Sequence, residues 1–241
     1  MSVLTLRLAG PLQAWGASAR FTRRTTESAP TKSGVIGMLA AAQGIQRGDD
    51  DALARLAALR FGVRIDQPGT RVRDFQTAHH AVTGKSMPLS ERFYLADAVF
   101  VAALEGDRLL LAELHAALRA PVFPSYLGRR SCPPAQPVEL TVHDDAALEQ
   151  ALRDEPWQAA HWYQKLHRKQ ATVPLLVLRE AGPGEGHADV LRDQPLSFAA
   201  EHRQHALRTV VSTSVDVPNP QAATRRAVPA HDPFASLEDS V

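Results

Sequence analysis

The chain has 241 residues, 44% of them apolar, a net charge of +1 and a single cysteine, Cys132. That length holds one large domain or a domain with an elaborated second half, and one thiol excludes an internal disulfide framework and fits a reducing, cytoplasmic setting. No stretch is long and apolar enough to cross a bilayer as a helix, and the N-terminus lacks the charged-then-apolar pattern of a secretion signal.

Leu4, Leu6 and Leu8 alternate with Val3, Thr5 and Arg7, which predicts a first strand over residues 3–8, broken by Gly10-Pro11. An extended basic segment follows, from Gln13 to Arg24, with Trp15 and Phe21 set among Arg20, Arg23 and Arg24. Aromatics between cations suit base stacking with phosphate contact; packing into a core is the alternative. Val35, Met38, Leu39 and Ala42 then fall at helical spacing, with Thr31 as the expected N-cap. Lys32, Ser33 and Gly34 occupy the first turn, so an ammonium, a hydroxyl and free amides meet at the positive end of the helix dipole. This reads as a seat for phosphate, or as an ordinary capped helix. The Walker spacing is absent, so nucleoside triphosphate binding has no support.

Asp49-Asp50-Asp51 opens a short second helix with Leu53, Leu56 and Leu59 on its buried side, and residues 61–65 alternate as a second strand. Residues 67–96 are polar and without steady periodicity; an insertion of that length predicts a protruding arm. A third strand over 98–104, a helix carrying Leu111, Leu114 and Leu118, a long Pro/Gly loop and a fourth strand at Val138, Leu140 and Val142 complete the order strand, helix, strand, strand, helix, strand. That is a ferredoxin-like, RRM-like α+β domain over residues 1–143, with one sheet face expected free. Residues 144–217 read as a smaller, mostly β C-terminal part, with a helix ended by Pro156 and strands at 173–179 and 209–217. Its segment 157–170 mixes Trp157, Trp162 and Tyr163 with Lys165, Arg168 and Lys169, to face RNA or a partner, or to form an amphipathic helix with aromatics inward. From Pro218 to Val241 the chain is a proline-rich polar tail.

Near-neutrality hides an uneven distribution of charge. Residues 1–48 carry six basic residues against Glu27 alone, and residues 119–131 carry three arginines and no acid. Local basic patches on a balanced protein point to an anionic polymer held in one place. In the second patch Gly128, Arg129, Arg130 and Ser131 form a glycine turn with two forked cations and a hydroxyl, a second phosphate seat or a turn stiffened by Pro133 and Pro134. Zinc-ligand spacing and a serine-hydrolase elbow are both absent, so no metal or cofactor is expected. The chemistry left to weigh is metal-independent RNA cleavage by His79, His80, Lys85 or Tyr94, against RNA contact or packing of the arm by the same residues.

The stretches Gly10-Pro-Leu-Gln-Ala-Trp-Gly16, Pro30-Thr-Lys-Ser-Gly-Val-Ile-Gly37, Leu59–Asp66, Asp74-Phe-Gln-Thr-Ala78 and Leu127–Pro134 together resemble the CasD family, over roughly residues 1–143. These are the subunits of the type I-E CRISPR surveillance complex, Cascade, that bind the 5′ handle of the guide RNA, and they belong to a ferredoxin-like, repeat-associated RNA-binding superfamily. The resemblance implies a non-catalytic subunit that caps the backbone, contacts the large subunit reading the protospacer-adjacent motif and the nearest backbone subunit, and supports target DNA recognition. It also implies that Lys32, Ser33 and Gly34 meet handle phosphates, with Gln13 and Trp15 near them and Arg129, Arg130 and Ser131 closing the other side. Arg20, Arg23, Arg24, Thr31 and Gly128, singled out from the residues themselves, complete the candidate RNA-binding set. The arm would be a thumb carrying Phe75, Gln76, Thr77, His79, His80, Lys85, Met87, Arg92 and Phe93. A related subtype uses the equivalent subunit to cut repeat RNA, which leaves an endoribonuclease as the alternative.

Overall fold

A computed structural model describes residues 1–16, 23–182, 184–186 and 188–223. The elements in order are β1 (Ser2–Ala9), β2 (Leu12–Gln13), β3 (Arg23–Arg24), α1 (Lys32–Gln43), α2 (Asp50–Ala57), β4 (Arg60–Gln67), β5 (Thr70–Gln76), β6 (Ser90–Ala96), β7 (Val99–Gly106) and α3 (Arg108–Arg119). There follow β8 (Glu139–His143), α4 (Leu148–Asp154), α5 (His161–Leu166), β9 (Thr172–Glu180), β10 (Asp189–Ser197) and β11 (Gln204–Pro218). No helix among the described residues is long and apolar enough to cross a membrane.

Seven strands form one curled sheet in the order β10-β11-β9-β4-β7-β1-β8, antiparallel at every pairing. β9 joins β4 at Gly62↔Arg179, Val63↔Leu178 and Arg64↔Val177, so the strands after residue 143 extend the sheet begun by the N-terminal half. The smaller sheet is the arm. β5 and β6 pair from Thr70↔Ala96 to Gln76↔Ser90, and the other edge of β6 takes β2 antiparallel and β3 parallel. Residues 77–89 close the tip.

On one face of the large sheet Leu4, Leu6, Leu8, Phe61, Phe100 and Leu104 pack with Ile36 and Leu39 of α1 and Leu111 and Leu114 of α3. Each fully buried side chain of this kind contributes about 1.5–3 kcal/mol. The expected free face is not free. Val3, Val101, Ala103, Val177 and Val215 lie under Leu148 and Leu152 of α4 and under Trp157. Arg64, with no exposed surface, fastens that cover: its guanidinium holds Asp66 at 2.7 and 2.9 Å and donates to the carbonyls of Glu155 at 2.7 Å and Pro156 at 2.9 Å. A cation at the carbonyl end of α4 meets the negative pole of the helix. The sheet surface an RRM-like domain would offer to RNA is therefore core.

Candidate nucleic-acid interface

The start of α1 is built as a cap rather than as an open anion seat. Thr31 Oγ1 accepts the Gly34 amide at 3.3 Å, and the Lys32 amide donates to Asp193 Oδ2 at 2.8 Å. Arg208 grips the same carboxylate at 2.9 and 2.7 Å. The Lys32 ammonium is 3% exposed and paired with Glu180 at 2.8 Å; burial pulls its pKa down and the Glu180 carboxylate opposes that. The expectation that Lys32 reaches a phosphate is thus corrected: C-terminal strands fill its place with the protein's own carboxylates. Gln13 and Trp15 are buried likewise, Trp15 beneath the cleft described below. Both have no exposed surface; Gln13 donates to the Leu8 and Ala98 carbonyls and accepts from the Trp15 indole at 3.0 Å. The Trp15 ring lies so close to Gly34 that a Cβ there would come within 2.8 Å of it.

The glycine turn is pinned from both ends. Ala14 donates to the Leu127 carbonyl at 3.1 Å, and Leu127 to that of Cys132 at 2.7 Å. Gly128 has φ +84°, and a Cβ on it would fall 1.8 Å from the Ala14 carbonyl oxygen, so its glycine serves close backbone packing. The two arginines that follow part ways. Arg129 lies 4.8 Å from the ring of Tyr94 and donates to the carbonyls of Phe93 at 3.2 Å and Arg24 at 2.9 Å, holding the stem of the arm. Arg130 is exposed and enters a cleft; Ser131 is exposed and Cys132 buried, its thiol pushed up by burial.

That cleft, of about 590 Å³, is where the two sequence motifs converge. Ser33, Gly34, Gly37 and Ala41 of α1, with Thr31, lie along it; Tyr126, Gly128 and Arg130 line it from the turn; Phe198, Arg203 and His205 come from the end of β10 and the start of β11; Arg47 also lines it. Three arginines line it, and among the described residues no carboxylate does. His205 is held below the ordinary histidine pKa by burial and by Arg203, so it is neutral at pH 7. Phe198, Arg203 and His205 were not foreseen from sequence. The cluster His202, Arg203 and His205 in a polar connection was the one available signal, and nothing local places it against a helix more than 150 residues earlier.

On the arm, Arg23 is 71% exposed with its guanidinium 5.4 Å from the Phe93 ring, Arg24 is exposed, and Arg92 stands opposite Asp74. Phe75 (50%) and Met87 (48%) face solvent, as do Thr77 and Lys85, while the Gln76 amide donates to Asp74. His79 Nδ1 meets the Gly84 carbonyl at 3.1 Å, and His80 Nδ1 accepts the Val82 and Thr83 amides. Tyr94 is buried in the stem, four residues of strand below Ser90, or roughly 13 Å at the rise of a strand. The residues weighed for RNA cleavage therefore sit at opposite ends of the arm. Arg20 and Phe21, and the tail from residue 224, lie outside the described residues.

Known proteins resemble this one along most of its length. The family described as CRISPR-associated protein (Cas_Cas5) matches residues 3–211. The CRISPR system Cascade subunit CasD of Escherichia coli strain K12 is 37% identical over 157 residues, 58% of this chain and 70% of that protein. A chain of a CRISPR RNA-guided surveillance complex superposes with a TM-score of 0.73 at 33% identity, covering 92% of this chain and 93% of the other. A crystal structure of a Cas protein gives 0.67 at 38% identity, covering 91% and 97%.

Proposed function

The chain belongs to the Cas5 family of CRISPR-associated proteins, and on that premise we propose that it is a non-catalytic subunit of a type I-E Cascade complex that holds the 5′ handle of the guide RNA. The observation that carries this reading is the cleft along α1, which Arg47, Arg130 and Arg203 line and which no carboxylate among the described residues lines. An RNA strand entering it meets forked cations, the Ser33 hydroxyl and aromatic faces at Tyr126 and Phe198. Handle contact is assigned to Ser33, Gly34, Gly128 and Arg130 from the sequence motifs, with Arg47, Phe198, Arg203 and His205 added. The arm is the thumb, and its exposed Phe75 and Met87 are offered to neighbouring backbone and large subunits. The order β8-β1-β7-β4, with α1 between β1 and β4 and α3 between β7 and β8, supports a ferredoxin-like reading of that part. In this role the protein works in the cytoplasm, needs no cofactor, and leaves reading of target DNA to base pairing.

Binding of labelled handle RNA and assembly with the other subunits test the reading. Arg130→Ala with Arg203→Ala lowers affinity tenfold or more, since a charge-assisted hydrogen bond is worth about 1.5–3 kcal/mol. The same pair flattens the salt dependence, the slope falling by about 0.7 for each phosphate no longer neutralised. Unchanged affinity would place the handle elsewhere. Specific cleavage of repeat RNA in EDTA would establish the endoribonuclease instead.

A further inference from the structure

The segment 156–179 contains no aspartate or glutamate, although it carries Lys165, Arg168, Lys169 and Arg179. Its folding divides the aromatics by depth. Trp157 is 4% exposed and Tyr163 packs against it with ring centroids 6.1 Å apart, on the sheet face opposite the cleft. Trp162 turns the other way and is 55% exposed, with Leu166 at 70%. On α5, Trp162, Lys165 and Leu166 share one face at i, i+3 and i+4, and Arg168 and Lys169 follow in the next turn, both exposed. Among the described residues, no carboxylate stands within salt-bridge distance of these three cations.

The face is rigidly mounted. Buried Gln164 donates to the Trp157 and Ala159 carbonyls, each at 3.0 Å. Asn219, just past β11, donates to the carbonyls of Gln164 at 3.2 Å and His167 at 3.0 Å. An exposed indole that the fold holds outward, beside three cations with no carboxylate partner among the described residues, matches an unpaired base with its flanking phosphates. We propose that Trp162, Lys165, Arg168 and Lys169 form a second nucleic-acid contact, separate from the handle cleft, which stacks a base of a single strand on Trp162 and holds its phosphates with the three cations.

Trp162 is its own reporter, because Trp15 and Trp157 are buried. Titrating the full chain with a 20-nucleotide oligo-dT is expected to quench tryptophan emission and to raise the anisotropy of the labelled strand. Trp162→Ala is expected to cost about tenfold in affinity, the range of one base–aromatic stack, while Trp162→Phe removes the quench and keeps most of the affinity. Lys165→Ala with Lys169→Ala is expected to flatten the salt slope by about 0.7 per lysine. The Arg130→Ala, Arg203→Ala protein, impaired in the cleft, is expected to keep the quench. The proposal is overturned if that protein loses the quench while Trp162→Ala binds oligo-dT normally, since the strand then uses the cleft alone. It is equally overturned if polyglutamate quenches and oligo-dT does not, or if quenching appears only after residues 224–241 are removed, which would make an acidic protein or the chain's own tail the occupant.

Discussion

Asp193 stands at the start of α1 as a resident anion, and its bond to the Lys32 amide, with the Thr31 cap on the Gly34 amide, satisfies two of the leading amides of the helix. The Lys32 ammonium is paired separately with Glu180, and removing it leaves that partly buried carboxylate without its nearest cation. Lys32→Ala is therefore expected to cost roughly 3 kcal/mol, read as a lower urea midpoint at unchanged slope. His205 makes a different prediction. Its imidazole, neutral at pH 7, gains a charge as pH falls through and below the ordinary histidine range, adding a fourth cation to the cleft. Handle affinity should therefore rise on acidification, and His205→Gln should flatten that rise in a binding titration across pH. Thr31 as cap was legible because capping is local. The burial of Lys32 was not, because its partner Glu180 lies 148 residues away and nothing near Lys32 announces it. Trp15 shows the same limit: an indole among arginines reads alike whether it stacks on a base or, as here, fills the core beside Gly34.

The arm is an element whose strands escape sequence periodicity for a physical reason. β5 is exposed on both faces along most of its length, so no apolar-polar alternation is required of it. Its presence was visible only as a segment too long for a turn. β10 was missed because it runs along the sheet edge, with polar side chains placed by partners, Asp193 against Arg208 among them. What holds the stem is Arg129, stacked on Tyr94 and bonded to backbone carbonyls of β3 and β6. Arg129→Ala is expected to speed amide exchange in residues 23–26 and 90–96 while leaving α1 and α3 unchanged.

At the scale of the whole molecule, one antiparallel sheet, covered on both faces at β1, β7 and β4, joins the two halves of the chain. β4 has no partner on its outer edge without β9, and Val3, Val101 and Ala103 have no cover without α4 and Trp157. A chain ending at residue 143 should therefore show no cooperative thermal transition, whereas the full chain melts once in calorimetry. The strands of the first half could be read from alternation, but how many faces of them are buried depends on elements that follow, so a free face was a natural but wrong reading. The turn at Gly128 sends Arg129 to the stem of the arm and Arg130 into the cleft, with no residue between them to absorb a movement. The stem of the arm and the wall of the cleft therefore share one turn of chain. Under the proposed role, a neighbouring subunit that steadies the arm is expected to raise affinity for the guide, and by linkage a seated guide then raises affinity for that subunit by the same factor.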